Sequence, residues 1–383
     1  MKSVVVTLSL NKHFDRKVVA GIRRYLLQAK GWSIYLEDDP QSRPPDFKDR
    51  SIDGIIAELD DPVIPRFIAG LDVAIVGIGG IKREHVKDFP ISTVETDNCR
   101  IAELAARHLL DCRLTHFAYC GMRLPTIDPW IEQREAAFVE FLRARGRRCS
   151  VFRERPSHTR SWARLRAALV SWIESLPRPV GVFACNDARG RHVLEACRLA
   201  RVQVPDELAV IGVNNDELFC HLTQPPLTSV IQGAEEIGYQ AAQLLDLLMR
   251  GRLRKRRHLA IPPVGIAMRG STDVVASDDA IVSGAMRLIR EQATAGVSVE
   301  DVARHLNVSR STLELHFKKG VGRSVHDEIQ RVQLNAVKDL LATTDLGLEQ
   351  IAARTGHSSA QYLTTVFRRE LSRTPGQYRR AAR

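Results

Sequence analysis

Five short stretches hold the side chains best suited to grip a polyhydroxylated ligand: SLNKHFDR (9–16), VGIGG (76–80), VETDN (94–98), ACNDARG (184–190) and VIGVNNDE (210–217). Carboxylates and amides engage neighbouring hydroxyls in pairs, a guanidinium donates, and an aromatic face packs on the C–H side of a ring. The plainer reading is that each Asp or Asn caps the helix that follows it. For any single residue both readings stand open, and recurrence across the set favours a shared site. The sequence carries no G-x-x-x-x-G-K-[ST] loop, no G-x-S-x-G elbow and no H-E-x-x-H helix. VGIGG lacks the full dinucleotide fingerprint and reads as a strand end, and the twelve histidines show no metal spacing. No metal or cofactor is expected, and no catalytic residue is assigned. An enzyme of unrecognised type is the competing class.

The elements that position these residues follow from the hydrophobic pattern. From residue 3 to about 270, short Val- and Ile-rich runs (SVVVTLSL, WSIYLE, DGIIAE, VAIVGI, THFAYCG, VGVFAC, LAVIGV) alternate with amphipathic segments. Continuous apolar strands alternating with helices predict a parallel sheet covered on both faces, and this length suffices for two such lobes. In doubly wound sheets ligands sit outside the carboxyl ends of the strands, where the five stretches fall. The basic knot RGRLRKRRHL (250–259) reads as a solvated loop ahead of a strand-like LAIPPVGIAM. At 383 residues, two or three domains are expected. No run approaches the ~20 apolar residues of a membrane span, and the start reads as a buried strand without a signal-peptide pattern. Seven cysteines without a C-x-x-C pair suit small buried residues in a reducing cytoplasm.

Around MRGSTDVVASDDA the alternation stops, so 271–283 is expected to be a linker and 284–383 a separate helical domain. That last quarter (280–383) carries 16 Lys/Arg against 10 Asp/Glu, compatible with a polyanionic partner. It contains an approximate repeat: VEDVARHLNVSRSTLELHFKK (299–319) resembles LEQIAARTGHSSAQYLTTVFRR (348–369). Val302, Ala303 and Leu306, matched by Ile351 and Ala352, form the inner face of a first helix. Leu313 and Phe317, like Leu363 and Phe367, are i, i+4 anchors of a second. Ser298 with Asp301, Ser324 with Asp327 and Ser358 with Gln361 have near capping-box spacing. VHDEIQRVQLNAVKDLLATT reads as one connecting helix, so two helix-turn-helix units on a rigid spacer are predicted.

With its closing QYLTTVFRRELSRTPGQYR, the region 285–380 resembles the AraC-type bacterial regulators. The resemblance implies base-edge contact by Ser311, Glu314 and Leu315 in the first unit and by Ala360, Gln361, Tyr362 and Thr365 in the second. Gln pairs with adenine, Glu accepts from cytosine and Leu touches a thymine methyl. Arg310, Lys318, Lys319, Arg368 and Arg369 would hold phosphates. Leu315 stands where many relatives carry a long polar or basic residue.

Through VFACNDARGRHVLEAC, ELAVIGVNNDE and PPLTSVIQGAEEIGYQAAQLL, residues 3–270 resemble the periplasmic-binding-protein-like sugar sensors of LacI-type repressors. By position, the ligand contacts implied are Asp97, Arg134, Asn186, Asp187, Asn214 and Gln232. Asn214 stands where Asp is common, which removes a charge. The combination, with LNKHFDRKVVAGIRRYL, ETDN and WIEQREAAF, resembles the bacterial xylose-operon regulators. That likeness adds Phe14, Asp15 and Trp130 to the pocket, whereas MRLPTID (122–128) and 38–50 fit the group poorly. The expectation is an α/β chain: a two-lobed, doubly wound parallel-sheet sugar-binding domain (1–270) ahead of an all-α double helix-turn-helix domain. The implied partners are double-stranded promoter DNA, a sugar effector with D-xylose leading, a second copy in a homodimer, and RNA polymerase if the chain activates. A regulator of the same architecture sensing another sugar stays open.

Overall fold

The computed structural model describes every residue except 30, 38–50, 61–63, 69, 81–90, 123–128, 154–160, 254, 275, 276, 278 and 383, and of 66, 381 and 382 only the backbone. Its chain divides into two compact units, Met1–Leu110 with Leu114–Asp273, and Val274–Arg383 with Asp111–Arg113.

The first unit is built on two six-stranded sheets. One has the order β2 (Trp32–Glu37), β1 (Lys2–Thr7), β3 (Gly54–Glu58), β4 (Ala74–Ile78), β5 (Ser92–Thr96), β11 (His258–Ile261), and all its pairs are parallel. The other runs β7 (Cys149–Phe152), β6 (His116–Cys120), β8 (Val180–Ala184), β9 (Leu208–Val213), β10 (Thr228–Ile231), β12 (Gly265–Ala267), with only β10–β12 antiparallel. Strands β3, β8 and β9 are buried along their whole length, as apolar runs covered on both faces must be. The helices are α1 (His13–Leu26), α2 (Ile64–Ile68), α3 (Asn98–Asp111), α4 (Pro129–Arg143), α5 (Trp162–Ser175), α6 (Asp187–Leu199), α7 (Glu217–His221) and α8 (Ala234–Met249). Val18 and Ile22 of α1 and Ile237, Ala241 and Leu245 of α8 close one face of the first sheet.

The chain crosses between lobes three times: after β5, after β10, and between β11 and β12. The three crossings are tied together. Asp97 N donates to Ile261 O at 2.9 Å and Val264 N to Ile231 O at 2.8 Å. LAIPPVGIAM, one strand-like run in the sequence, is therefore two strands in different sheets. Pro262 and Pro263 have no N–H to donate, so the run breaks there.

The second unit contains α9 (Ala280–Gln292), α10 (Val299–His305), α11 (Arg310–Val321), α12 (Val325–Thr343), α13 (Leu348–Arg354), α14 (Ala360–Leu371) and α15 (Pro375–Ala382). The predicted anchors Leu313, Phe317, Leu363 and Phe367 are all buried. They serve two small cores that share α12, which gives Val325 and Ile329 to the first and Leu334, Val337 and Leu341 to the second. Capping boxes at Ser298/Asp301 and Ser324/Asp327 start α10 and α12. The cap of α14 lies one residue beyond its predicted place: Ser359, not Ser358, accepts from Tyr362 N, and Gln361 is left outside the box. Within the expected linker 271–283, Ser271 and Thr272 are buried against the second lobe, and 280–283 already belong to α9. Five cysteines are buried as expected, but Cys99 is exposed.

Candidate functional site

The first lobe contributes a compact charged cluster where β1 and β3 end. Lys12, the residue before α1, reaches Glu58 Oε1 at 2.5 Å and Asp15 Oδ2 at 3.9 Å. Asp15 and Glu58 are buried, and Asp15 Oδ2, Glu58 Oε2 and Thr7 Oγ1 accept or donate no hydrogen bond among the described residues. Burial and the neighbouring Glu58 push the Asp15 carboxyl up to about 7, against the pull of Lys12. Burial opposes the Lys12 charge, yet Glu58, Asp15 and Asp60 together hold it above the ordinary lysine value. Phe14 sits half-buried against the core of this lobe.

The second lobe contributes a buried guanidinium. Arg134, 3% exposed on α4, donates through Nε to Asn98 Oδ1 at 2.9 Å and through Nη1 to Cys185 O at 2.6 Å. Its guanidinium lies 4.7 Å from the Trp130 ring centre, and Asn98 in turn donates to Gln133 Oε1 at 2.7 Å. Burial lowers its pKa, while Tyr119, Cys185, Asp60 and Asp187 oppose the shift. Asp60 follows β3 of the first lobe and Asp187 opens α6 of the second. At the crossings, Thr96 Oγ1 donates to Gln232 Oε1 at 3.0 Å and Gln232 Nε2 donates to Asn214 Oδ1.

The predicted ligand residues thus divide into groups. Asp15 keeps Oδ2 without a hydrogen-bond partner among the described residues, Arg134 stacks on Trp130, and Asn214 pairs with Gln232. Asp97 and Asn186 use a side-chain oxygen to cap α3 and α6, accepting from Arg100 N at 2.9 Å and Arg189 N at 2.8 Å. Asp187 is 1% exposed and commits both oxygens to the chain, to Ser229 Oγ at 2.6 Å and Asp216 N at 2.8 Å. Lys12, Glu58 and Asn98 escaped the sequence reading. Lys12 lay inside the quoted SLNKHFDR and Asn98 inside VETDN, while Glu58 closed an apolar run and carried no signal of its own. The stretches 38–50 and 123–128, singled out in the sequence, lie outside the described residues.

In the second unit, Ser309 caps α11 and Ser359 caps α14, the second helices of the two repeats. Arg310, Ser311, Leu315, Lys318 and Lys319 are exposed on α11, as are Gln361, Tyr362, Thr365, Arg368 and Arg369 on α14; Ala360 is half-buried. Arg310 pairs with Glu300, and Arg369 donates to Gln330 Oε1 at 2.9 Å. Glu314 is half-buried and accepts from Val325 N at 3.3 Å. Between the repeats, Gln333 of α12 donates to Ala293 O at 2.9 Å and to Gly356 O at 3.5 Å.

Comparison with known proteins places each part. The XylR N-terminal domain family matches residues 3–99, the periplasmic binding protein-like domain 106–272 and a helix-turn-helix domain 302–381. The xylose operon regulatory protein of Haemophilus influenzae is 35% identical over 379 residues, 98% of this chain and 97% of its own. That of Escherichia coli strain K12 is 35% identical over 377 residues, 98% and 96% of the two chains. The solved structure of the xylose-binding transcription activator xylR matches with a TM-score of 0.76 at 34% identity, over 99% of this chain and 98% of that one. A transcriptional regulator CelR–cellobiose complex shares the fold at 20% identity and a TM-score of 0.56, over 71% and 84%.

Two doubly wound lobes followed by a helix-turn-helix domain define a sugar-responsive, DNA-binding transcription regulator. The chain belongs to the family of xylose operon regulatory proteins.

Proposed function

We propose that the effector is D-xylose, bound in the cleft between the lobes, and that the chain activates pentose-utilisation genes in response. The observation that carries the sugar site is the pair of buried carboxylates, Asp15 and Glu58, each with an oxygen lacking a hydrogen-bond partner among the described residues. Hydroxyl groups satisfy such oxygens, and leaving them dry costs about 1–3 kcal/mol each. Arg134 and Trp130 supply a donor and an apolar face to the same ring. The residues of this site are Phe14, Asp15, Glu58, Trp130, Arg134, Asn214 and Gln232, with Asp97, Asn186 and Asp187 shaping its floor.

The sugar acts by binding a closed arrangement of the lobes better than an open one; equal affinity for both would shift nothing. The three crossings tied at Asp97, Gln232 and Val264 are the hinge about which the lobes turn. The chain works as a cytoplasmic homodimer, binds its sugar without turning it over, and engages RNA polymerase from promoter DNA held by α11 and α14. Asn214, an amide where related sensors commonly place a carboxylate, favours one further reading, a different sugar of the same class. Calorimetry against a panel of pentoses and hexoses decides. Saturable binding of D-xylose with no product supports the proposal; preference for another sugar moves the effector; binding of none removes the sensor.

A further inference from the structure

The two recognition helices do not offer DNA the same chemistry. Among the exposed groups of α14, Thr365 Oγ1 donates to Gln361 O at 3.0 Å and Tyr362 Oη accepts from Gln330 Nε2 at 3.5 Å, while the Gln361 side-chain amide makes no hydrogen bond among the described residues. On α11 the polar groups are drawn back into the protein. Glu314 accepts from the first backbone N–H of α12, Ser311 Oγ lies 2.9 Å from Ser309 Oγ, and Arg310 is held by Glu300. Between them Leu315 projects 69% exposed, with Ser311 one turn before it and Lys318 and Lys319 one turn after. Should α11 enter the major groove, an apolar side chain flanked by phosphate-seeking lysines packs best on an apolar partner there. The major-groove edges of adenine, guanine and cytosine present only donors and acceptors at their centre, and covering those with Leu leaves them unpaired. The pyrimidine C5-methyl group is the one apolar feature of that groove.

We propose that the first helix-turn-helix unit reads its site through the C5-methyl of a pyrimidine packed on Leu315, thymine in unmodified DNA, and that hydrogen-bonded base readout falls to the second unit. This rests on the reading of α11 as a helix that enters the major groove. It makes the two repeats unequal readers, one specifying by an apolar base contact and the other by polar pairing.

The test uses the full-length protein and a duplex it selects from a randomised-sequence library. Each thymine of the selected site is replaced in turn by deoxyuridine, which removes the methyl group and nothing else. At one or two positions the loss of that methyl should weaken binding roughly fourfold, the effect of one buried methyl-sized group. Leu315→Ala should bind thymine and deoxyuridine duplexes equally at those positions, and its exposure means the fold does not depend on the side chain. Placing 5-methylcytosine there should bind better than cytosine by a similar factor if the methyl itself is read, whichever base carries it; equality of the two would overturn methyl readout. Indifference to deoxyuridine throughout a site that the protein still binds, or a methyl effect that survives in Leu315→Ala, would also overturn it while leaving DNA binding intact. Failure to enrich any sequence would instead remove the DNA-reading assignment beneath it.

Discussion

Asp187 Oδ1 accepts a 2.6 Å hydrogen bond from Ser229 Oγ, joining the start of α6 to β10. Its other oxygen takes the Asp216 N–H, and a Cβ on Gly212 would collide with the carboxylate. The side chain is therefore a clamp between β9, β10 and α6 beneath the cleft. Burial pushes its carboxyl up to about 7. The unfolded chain ionises near 4 while the folded one keeps its proton, so this group's contribution to stability falls as pH rises from about 4 to 7. Asp187→Asn keeps the bond from Asp216 N through Oδ1 and meets Ser229 Oγ with Nδ2 as the donor, reversing that bond's direction. It should flatten that fall in thermal melts, whereas Asp187→Ala should lower the Tm at every pH by leaving buried donors unpaired.

Sugar binding should itself depend on pH, through Asp15. Hydroxyls donate best to a carboxylate, so the ionised form is the binding form. With the carboxyl raised to about 7 by burial and by Glu58, a growing fraction is ionised as pH climbs from 6 to 8. D-Xylose affinity should rise roughly tenfold over that interval, the ratio of ionised fractions for a group titrating near 7. Calorimetry at the two pH values checks it. In Asp15→Asn the profile should be flat and the affinity at pH 8 lower; an unchanged slope would place the linkage elsewhere.

Arg134 joins the first crossing to the second lobe, through Asn98, while stacking on Trp130. Lysine has the charge but not the planar fork, so Arg134→Lys loses at least one of two buried bonds and the flat face. We expect a drop of about tenfold or more in sugar affinity, with far-UV circular dichroism unchanged. Retained affinity would mean that the guanidinium serves packing alone.

How much of this was legible in the sequence depends on what each signal encodes. The anchors Leu313, Phe317, Leu363 and Phe367 were readable because a helical period fixes which residues share a face. The strands β3, β4, β8 and β9 were readable because burial on both faces demands an uninterrupted apolar run. The assignment of β11 and β12 to different sheets was not, since nothing local distinguishes a crossing from a turn at Pro262–Pro263. The clustering of Lys12, Asp15 and Glu58 was equally hidden: the β1–β3 register brings Thr7 beside Ala57, and Glu58 follows. That is a long-range pairing with no trace in residue spacing. For Asp97, Asn186 and Asp187, capping and ligand contact call for the same residue types at the same place, so sequence could not separate them.

Gln333 fixes the spacing of the two readers, donating to Ala293 O on one side and Gly356 O on the other. Gly356 has φ 76°, and a Cβ there would stand 2.7 Å from both Ala293 O and Gln333 Nε2. Gly356→Ala should therefore cost about 1–3 kcal/mol and loosen one repeat against the other. Binding of the full-length protein to a complete selected site should weaken more than binding to a duplex carrying half of it. Equal losses on both duplexes would show that the spacing is set by α12 alone.

Lys318 and Lys319 lie exposed in the last turn of α11, in reach of phosphates if that helix enters the major groove as proposed. Phosphate contacts release counterions, so each one adds roughly 0.9 to the slope of log affinity against log salt. The double substitution Lys318→Ala with Lys319→Ala should reduce that slope by up to about 1.8. It should weaken selected and random duplexes alike, because phosphates carry no sequence. Leu315→Ala should do the reverse, leaving the salt slope in place while narrowing the gap between selected and random DNA. If instead the lysine pair changes sequence preference and leaves the slope untouched, α11 does not lie in the groove as proposed.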